Sequence, residues 1–304
     1  MRFKHRRPLP REGFTLIELL VVMAIIGVLV GMTAAAIFSV MGSRKLKTTK
    51  TLLAKLHPAL QQHWREAYKE AQAQAQKAVP PVFLTHAGGD YNRARVLYVK
   101  FLMRAQFPLS YAEARQPWAG IAGASSGDVP AVPEYVKKIG NRTGGSAEAQ
   151  MAACLYLALQ QRRQGITFNA DEAIGASGIK DTDGDGLPEI VDGWDNPVGY
   201  YRWPTENTDL DRIGSGKSTI DRDNEDPART LMDRGWQSAN AAFVRAYESL
   251  CHPISTNGVP RSRYTVPVIV SAGPDGKMGL NANHVGYGGG DARDNVYSFK
   301  VLNQ

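Results

Sequence analysis

The chain has 304 residues, of which 43% are hydrophobic, and a formal net charge of +7. This length is typical of one or two domains, and the apolar content is sufficient for a proper core. Residues 1–13 hold five basic residues and one acid, so the charge falls to +3 without them. Such a small excess is weak evidence for a nucleic-acid-binding surface, and we expect no nucleic-acid partner.

The basic segment 1–13 ends at Gly13 and is followed at once by an apolar run, residues 14–41. At 1.5 Å per residue this run would form a helix of about 40 Å, which exceeds the ~30 Å hydrocarbon core of a bilayer. Glu18 is the one acid within the run. Because a carboxylate costs about 2.5–3.5 kcal/mol or more at the bilayer centre, we interpret Glu18 as a functional residue.

Gly13, Phe14, Glu18 and the apolar run resemble the class III signal of type IV pilins and type II secretion pseudopilins, over roughly residues 10–45. The resemblance implies that 1–13 is a leader that prepilin peptidase removes after Gly13. It implies that the new N-terminal residue, Phe14, is N-methylated. It further implies that Glu18 pairs with that amine on a neighbouring subunit during filament assembly, with the C-terminal part in the periplasm.

An ordinary secretory signal is the alternative interpretation of this segment, with cleavage at residues 33–36 and a mature start near Ile37. Such a signal has an apolar region of about 7–15 residues, and the observed run is longer. Glu18 would be anomalous within it. A secreted calcium-binding module or enzyme would follow from this alternative.

The helical pattern continues through residues 42–79, the expected periplasmic half of the first helix. Apolar residues recur there at spacings of three and four: Leu52, Leu53, Leu56, Leu60, Trp64 and Tyr68. This period is typical of an amphipathic helix. We predict that it ends near Lys77, before Pro80 and Pro81, and that Pro58 kinks it or removes one hydrogen bond.

Residues 80–175 are predicted to form a helical insert, which small pseudopilins lack. The apolar pattern predicts helices over 93–105, 111–115 and 147–163, with a Gly/Ala/Pro/Ser loop over 120–133. Cys154 lies in the third of these helices, and Cys251 is the only other cysteine. The two could form a disulfide in a periplasmic domain, or Cys154 could be a core residue.

Residues 176–304 are predicted to form a calcium-loop and antiparallel-sheet region. Short β-branched and aromatic runs bounded by turn residues predict strands over 198–203, 264–271 and 295–301, with a helix over 239–250. The expected fold is α+β, with a small sheet packed on the amphipathic half of the first helix. The acids of 221–226 are expected to form a solvated loop.

Residues 181–192 fit a twelve-residue calcium-loop template, with oxygen donors at positions 1, 3, 5, 9 and 12 and a backbone carbonyl at position 7. Carboxylates this close together repel one another unless a hard cation neutralises them. Residues 193–197 form a turn and not the exiting helix of an EF-hand. The predicted calcium ligands are Asp181, Asp183, Asp185, Leu187, Glu189 and Asp192.

Residues 271–277 and 291–295 resemble the calcium loop near the C-terminus of the major pseudopilin of type II secretion. The resemblance implies a second metal site with ligands from Ala272, Asp275, Asp291 and Asp294. Residues 192–198 also resemble that family's D-x-W-G-N-P-Y stretch. Asp192 could therefore serve that turn and not the first metal loop.

No catalytic constellation is apparent, and we expect no enzymatic activity. Residues 214–219 look like the end of a phosphate-binding loop, but the template requires glycine at the position of Asp211. The six histidines show no H-E-x-x-H spacing.

The pattern as a whole favours a pseudopilin-like structural subunit of a type II secretion system, inserted in the inner membrane and assembled into a periplasmic pseudopilus. The expected partners are other copies and other pseudopilins, prepilin peptidase, the inner-membrane assembly platform and membrane lipid. A type IV pilus subunit, including a minor pilin, is the alternative.

Overall fold

The first helix, α1, spans Leu16–Lys77 without interruption in a computed structural model of the chain. The structure describes residues 15–163, 165–166, 168–203, 223, 225–251, 267–278 and 294–302. The expected end of α1 near Lys77 is confirmed. The helix continues through Pro58, which has no N–H to donate to the preceding turn.

The chain divides into two compact units, residues 1–44 and 45–304. In the first unit the large apolar side chains of α1 are exposed, from Leu16 at 81% to Val22 at 46%. Among the described residues, α1 is the one helix that is long and apolar enough to cross a membrane. The described residues of this unit therefore present an apolar surface that none of them covers.

In the second unit, the predicted apolar face of α1 lies in the core. Leu53, Leu56 and Leu60 are fully buried. The ring of Trp64 packs against Phe107 and Trp203, with centroid distances of 4.9 and 5.9 Å. The three- and four-residue spacing therefore identified the buried side of this helix correctly.

The insert is helical, as predicted. It contains α2 (Pro81–His86), α3 (Tyr91–Gln106), α4 (Tyr111–Arg115), α5 (Pro133–Ile139) and α6 (Ala147–Gln160). The third predicted helix ends at Gln160, three residues before its expected end. Sequence analysis missed α2 and α5, which both begin with a proline, the residue that is favoured in the first helical turn.

The α+β fold is confirmed by two small antiparallel sheets. A short helix, α7 (Ala170–Ile174), leads through a 3₁₀ turn to β1 (Ile179–Lys180), which pairs with β2 (Glu189–Ile190). The second sheet has the order β3 (Gly199–Tyr201), β4 (Val268–Ser271) and β5 (Val296–Tyr297). In its register, Tyr200 faces Ile269 and Val270 faces Tyr297.

Helices α8 (Arg234–Ala239) and α9 (Ala241–Cys251) cover most of the predicted helix 239–250 and extend it in the N-terminal direction. The strand predicted over 295–301 is wrong beyond Tyr297, because Ser298–Leu302 forms a helix, α10. The Ser298 hydroxyl accepts the Ile269 N–H and bonds to His57 Nδ1 at 2.7 Å. The Ser298 hydroxyl therefore accepts the Ile269 N–H of β4, which a backbone carbonyl would accept if the strand were longer.

Cys154 and Cys251 are both buried, and both are free thiols. Cys154 lies within α6 and Cys251 ends α9, so each thiol fills space in the core. Burial raises the pKa of both thiols, to about 11 for Cys251. The structure therefore corrects the disulfide alternative in favour of two core residues.

His63 lies on α1 and is 1% exposed. Its ring meets Phe168 edge-on at 6.4 Å between centroids, and within the described part of the chain neither ring nitrogen has a hydrogen-bond partner. Burial and, to a lesser degree, the positive charge of Arg163 lower the pKa of His63 to about 4. The folded protein therefore holds this imidazole in its neutral form at pH values where the unfolded chain would protonate it.

We predict that the free energy of unfolding falls as the pH drops from 6.5 towards about 4, because the unfolded state takes up a proton at His63 that the folded state excludes. Above pH 6.5 the neutral His63 costs no stability, and the loss grows as the pH falls to the pKa of the folded state, about 4. Urea unfolding at about pH 7.5 and about pH 4.5 should show a smaller loss for His63→Phe than for the wild type. Equal losses in the two proteins would contradict this role.

Candidate functional site

Glu18 lies in the first turn of α1, where it forms a reciprocal capping box with Thr15. The Thr15 N–H and hydroxyl each donate to Glu18 Oε2 at 2.8 Å, and the Glu18 N–H donates to Thr15 Oγ1 at 3.2 Å. The Thr-x-x-Glu spacing is the sequence signal for this motif, which our sequence analysis did not use. Gly13 and Phe14, the predicted processing residues, lie outside the described residues.

The acidic loop, residues 181–189, joins β1 to β2. Its four acids, Asp181, Asp183, Asp185 and Glu189, each place a carboxylate oxygen within 4.8 Å of the others. Gly186, at position 6 of the template, has φ +85° and permits the sharp turn. The loop backbone donates towards the same acids, with the Gly186 N–H 3.0 Å from Asp181 Oδ2 and the Leu187 N–H 2.7 Å from Asp185 Oδ1.

Glu189 is the buried acid of the loop, and one of its carboxylate oxygens lacks a hydrogen-bond donor from the described residues. Strand β2 holds the residue fully buried, and its Oε2 accepts the Thr182 N–H at 2.6 Å. Its Oε1 has no hydrogen-bond partner among the residues that the structure describes. Burial raises the pKa of Glu189 to about 7, and the negative charges of Asp183 and Asp181 act in the same direction. A buried carboxylate oxygen without a donor, beside three further acids, is the environment that a hard cation stabilises.

Leu187 lies in the same loop, with its side chain in the core at 6% exposure. Its apolar side chain anchors the loop to the core. The predicted use of its carbonyl as a ligand stays a prediction.

Asp192, predicted as the ligand at position 12, is not among the four acids whose carboxylates lie close together, which corrects that prediction. Its Oδ1 accepts the N–H groups of Trp194 and Asn196 at 2.8 and 3.0 Å, and its Oδ2 accepts the Ser271 hydroxyl at 2.6 Å. Both oxygens are therefore engaged by the turn that follows and by the end of β4. Of the two roles considered for Asp192, the structure therefore shows the one in the turn of residues 192–198.

The second predicted metal site is partly assembled. Ala272 precedes the 3₁₀ turn Gly273–Asp275, and the Asp275 N–H donates to Asp294 Oδ2 at 3.4 Å. Gly273 has φ +71°, and a Cβ there would lie 2.6 Å from the Asp294 carbonyl oxygen. Asp291 lies outside the described residues. Within the part of the chain that is described, the acidic loop is the one group of three or more potential ligand side chains. Because Asp291 lies outside that part, the second metal site stays a prediction.

The expectation of a solvated acidic segment at 221–226 is wrong for its described members. Asp223 and Glu225 are buried and lie 2.8 and 2.7 Å from the Lys100 ammonium nitrogen. A fully buried lysine from α3 requires partners of opposite charge, and this segment supplies them. The P-loop-like stretch 214–219 lies outside the described residues.

Comparison with known protein families identifies an N-terminal motif. The model of the prokaryotic N-terminal methylation motif matches residues 10–34. No curated protein and no solved structure matches the chain. The motif and the exposed apolar part of α1 are consistent with a membrane-anchored N-terminus. The N-terminal methylation motif thus supports a type IV pilin-like family for this chain.

Proposed function

We propose that this chain is a pseudopilin-like structural subunit of a type II secretion system. Prepilin peptidase cleaves it after Gly13 and Phe14 is methylated, and the subunit then joins a periplasmic pseudopilus through its N-terminal helix. The observation that carries the proposal is the methylation motif at 10–34, which includes most of the exposed apolar part of α1. In this role the protein has no catalytic residue.

The N-terminal part of α1 has the properties that such assembly needs. Its apolar side chains require lipid before assembly and other helices after it. Gly27 and Gly31 have open space where a side chain would lie, so a neighbouring helix can approach closely. Glu18 provides the single acid with which the amine of an adjacent subunit pairs, which makes other copies, other pseudopilins and the inner-membrane assembly platform the proposed partners.

Secretion is favoured over a type IV pilus, the second candidate, by the C-terminal turns that resemble the major pseudopilin. The two turns contact each other, since Asn196 Nδ2 donates to the Gly273 carbonyl at 2.9 Å. Asp192 also reaches Ser271 at the start of the 271–277 stretch. These contacts link the D-x-W-x-N-P stretch to the predicted C-terminal loop, which supports treating the two as one structural unit.

We further propose that the acidic loop binds calcium. Asp181, Asp183, Asp185 and Glu189 supply hard oxygen donors, and the orphaned Glu189 oxygen supports a cation at this place. Calcium would neutralise the repulsion among the four acids. An affinity in the range of about 10⁻⁴–10⁻³ M is typical of extracellular calcium modules.

Intact-mass analysis of the purified protein tests the processing step. We predict a mature chain that begins with N-methylated Phe14, because the proposed cleavage after Gly13 leaves Phe14 as the new N-terminal residue. A chain that begins near Ile37 would show an ordinary secretory signal and would contradict the proposal.

The melting temperature tests the calcium site. We predict that a chelator lowers it in the wild type, because the acids of the loop then repel one another, and that Asp183→Ala combined with Asp185→Ala abolishes the chelator effect. Asp192→Asn is the matched control. It should lower the melting temperature with and without chelator, since it weakens the turn, while the chelator effect remains. A wild type that melts at the same temperature in both conditions would remove the calcium proposal.

A further inference from the structure

The helical insert contacts the acidic loop at two of its four acids, Asp183 and Asp185. Tyr111, on α4, is fully buried, and its hydroxyl donates to Asp185 Oδ2 at 2.9 Å. The Tyr111 N–H in turn donates to Gln150 Oε1 on α6. The phenol is therefore held by the insert and directed at one carboxylate of the loop.

Arg142 makes a second contact from the segment between α5 and α6. Its Nε donates to the Asp185 carbonyl at 2.6 Å and lies 3.8 Å from the Asp185 carboxylate. The same guanidinium donates to the carbonyls of Lys138 and Ile139 in α5. Arg142 thus joins the end of α5 to the backbone and the side chain of Asp185.

Gly145 makes the third contact. It has φ +89°, and a Cβ at this position would lie 2.0 Å from Asp183 Oδ2. The insert backbone therefore runs directly against the Asp183 carboxylate, at a distance that only glycine permits. Asp183 and Asp185 are confined by the insert, whereas Glu189 is fixed by β2.

We propose that the insert forms one side of the metal centre, so that calcium binding locks the 140–146 segment and α4 onto the β1–β2 hairpin. The inference rests on the calcium proposal above and names the part of the chain that the ion controls. Ligand carboxylates keep their orientation through hydrogen bonds from outer residues, and loss of such a partner typically weakens metal binding 10- to 100-fold. Tyr111 is accordingly a positioning residue for Asp185.

Linkage makes the coupling reciprocal: if the insert orders the ligands, the ion must order the insert to the same extent. A purely structural role of Tyr111 makes a different prediction. In that case loss of its hydroxyl would lower stability equally with and without calcium and would leave calcium affinity unchanged.

Calcium titration calorimetry on the full chain in detergent separates the two roles. We expect Tyr111→Phe to bind calcium about 10-fold more weakly than the wild type, since Asp185 loses its donor. Tyr156→Phe is the matched control, because the Tyr156 hydroxyl donates to Asp171 Oδ1 at the same 2.9 Å but away from the loop. This control should bind like the wild type.

Hydrogen–deuterium exchange supplies the second readout. In the wild type, calcium should slow exchange in residues 140–146, and the effect should shrink in Tyr111→Phe at the same calcium concentration. If the wild type binds calcium but Tyr111→Phe binds equally well and 140–146 gains no protection, the coupling is wrong and the metal site stands. If the wild type binds no calcium, the metal site and the coupling are both wrong.

Discussion

The second unit depends on the burial of one face of α1. Leu53, Leu56 and Leu60 are completely removed from solvent, and each contributes about 1.5–3 kcal/mol relative to an exposed side chain. The same face continues through Trp64, which meets Phe107 of the insert and Trp203 beyond β3. The helix that the N-terminal motif begins is thus also the surface on which the insert and the sheet are organised.

Several buried charged side chains of the second unit form ion pairs with side chains of opposite charge, whereas the acidic loop brings four acids together. Glu113 accepts two bonds from Arg202 at 2.8 Å and pairs with Arg104, and Lys100 pairs with acids of the 223–225 segment. Among the described residues, no basic side chain pairs with Glu189, and the charged groups that act on it are the acids Asp181 and Asp183. An ion at the loop would supply the missing charge, and the insert contacts would then link that charge to the position of α4.

Local patterns allowed the sequence to predict the long helix, most of the insert and the spacing of the loop acids, because these features depend on residues a few positions apart. Asp192 was ambiguous, since it satisfies both a calcium template and a turn, and the choice depends on Ser271, far away in the chain. The helix at Ser298 and the Tyr111–Asp185 contact could not be predicted for the same reason. The structure at such positions depends on residues far away in the chain, and the local spacing of apolar residues carries no information about those contacts.

Assembly through the N-terminal helix is tested most directly by the amount of subunit in purified filaments, compared between Thr15→Ala and Glu18→Leu. Thr15→Ala removes the side-chain half of the capping box and keeps the Glu18 carboxylate, whereas Glu18→Leu removes the carboxylate itself. Pairing between subunits predicts that Thr15→Ala enters filaments at nearly the wild-type level and that Glu18→Leu is excluded. Normal incorporation of Glu18→Leu would contradict it.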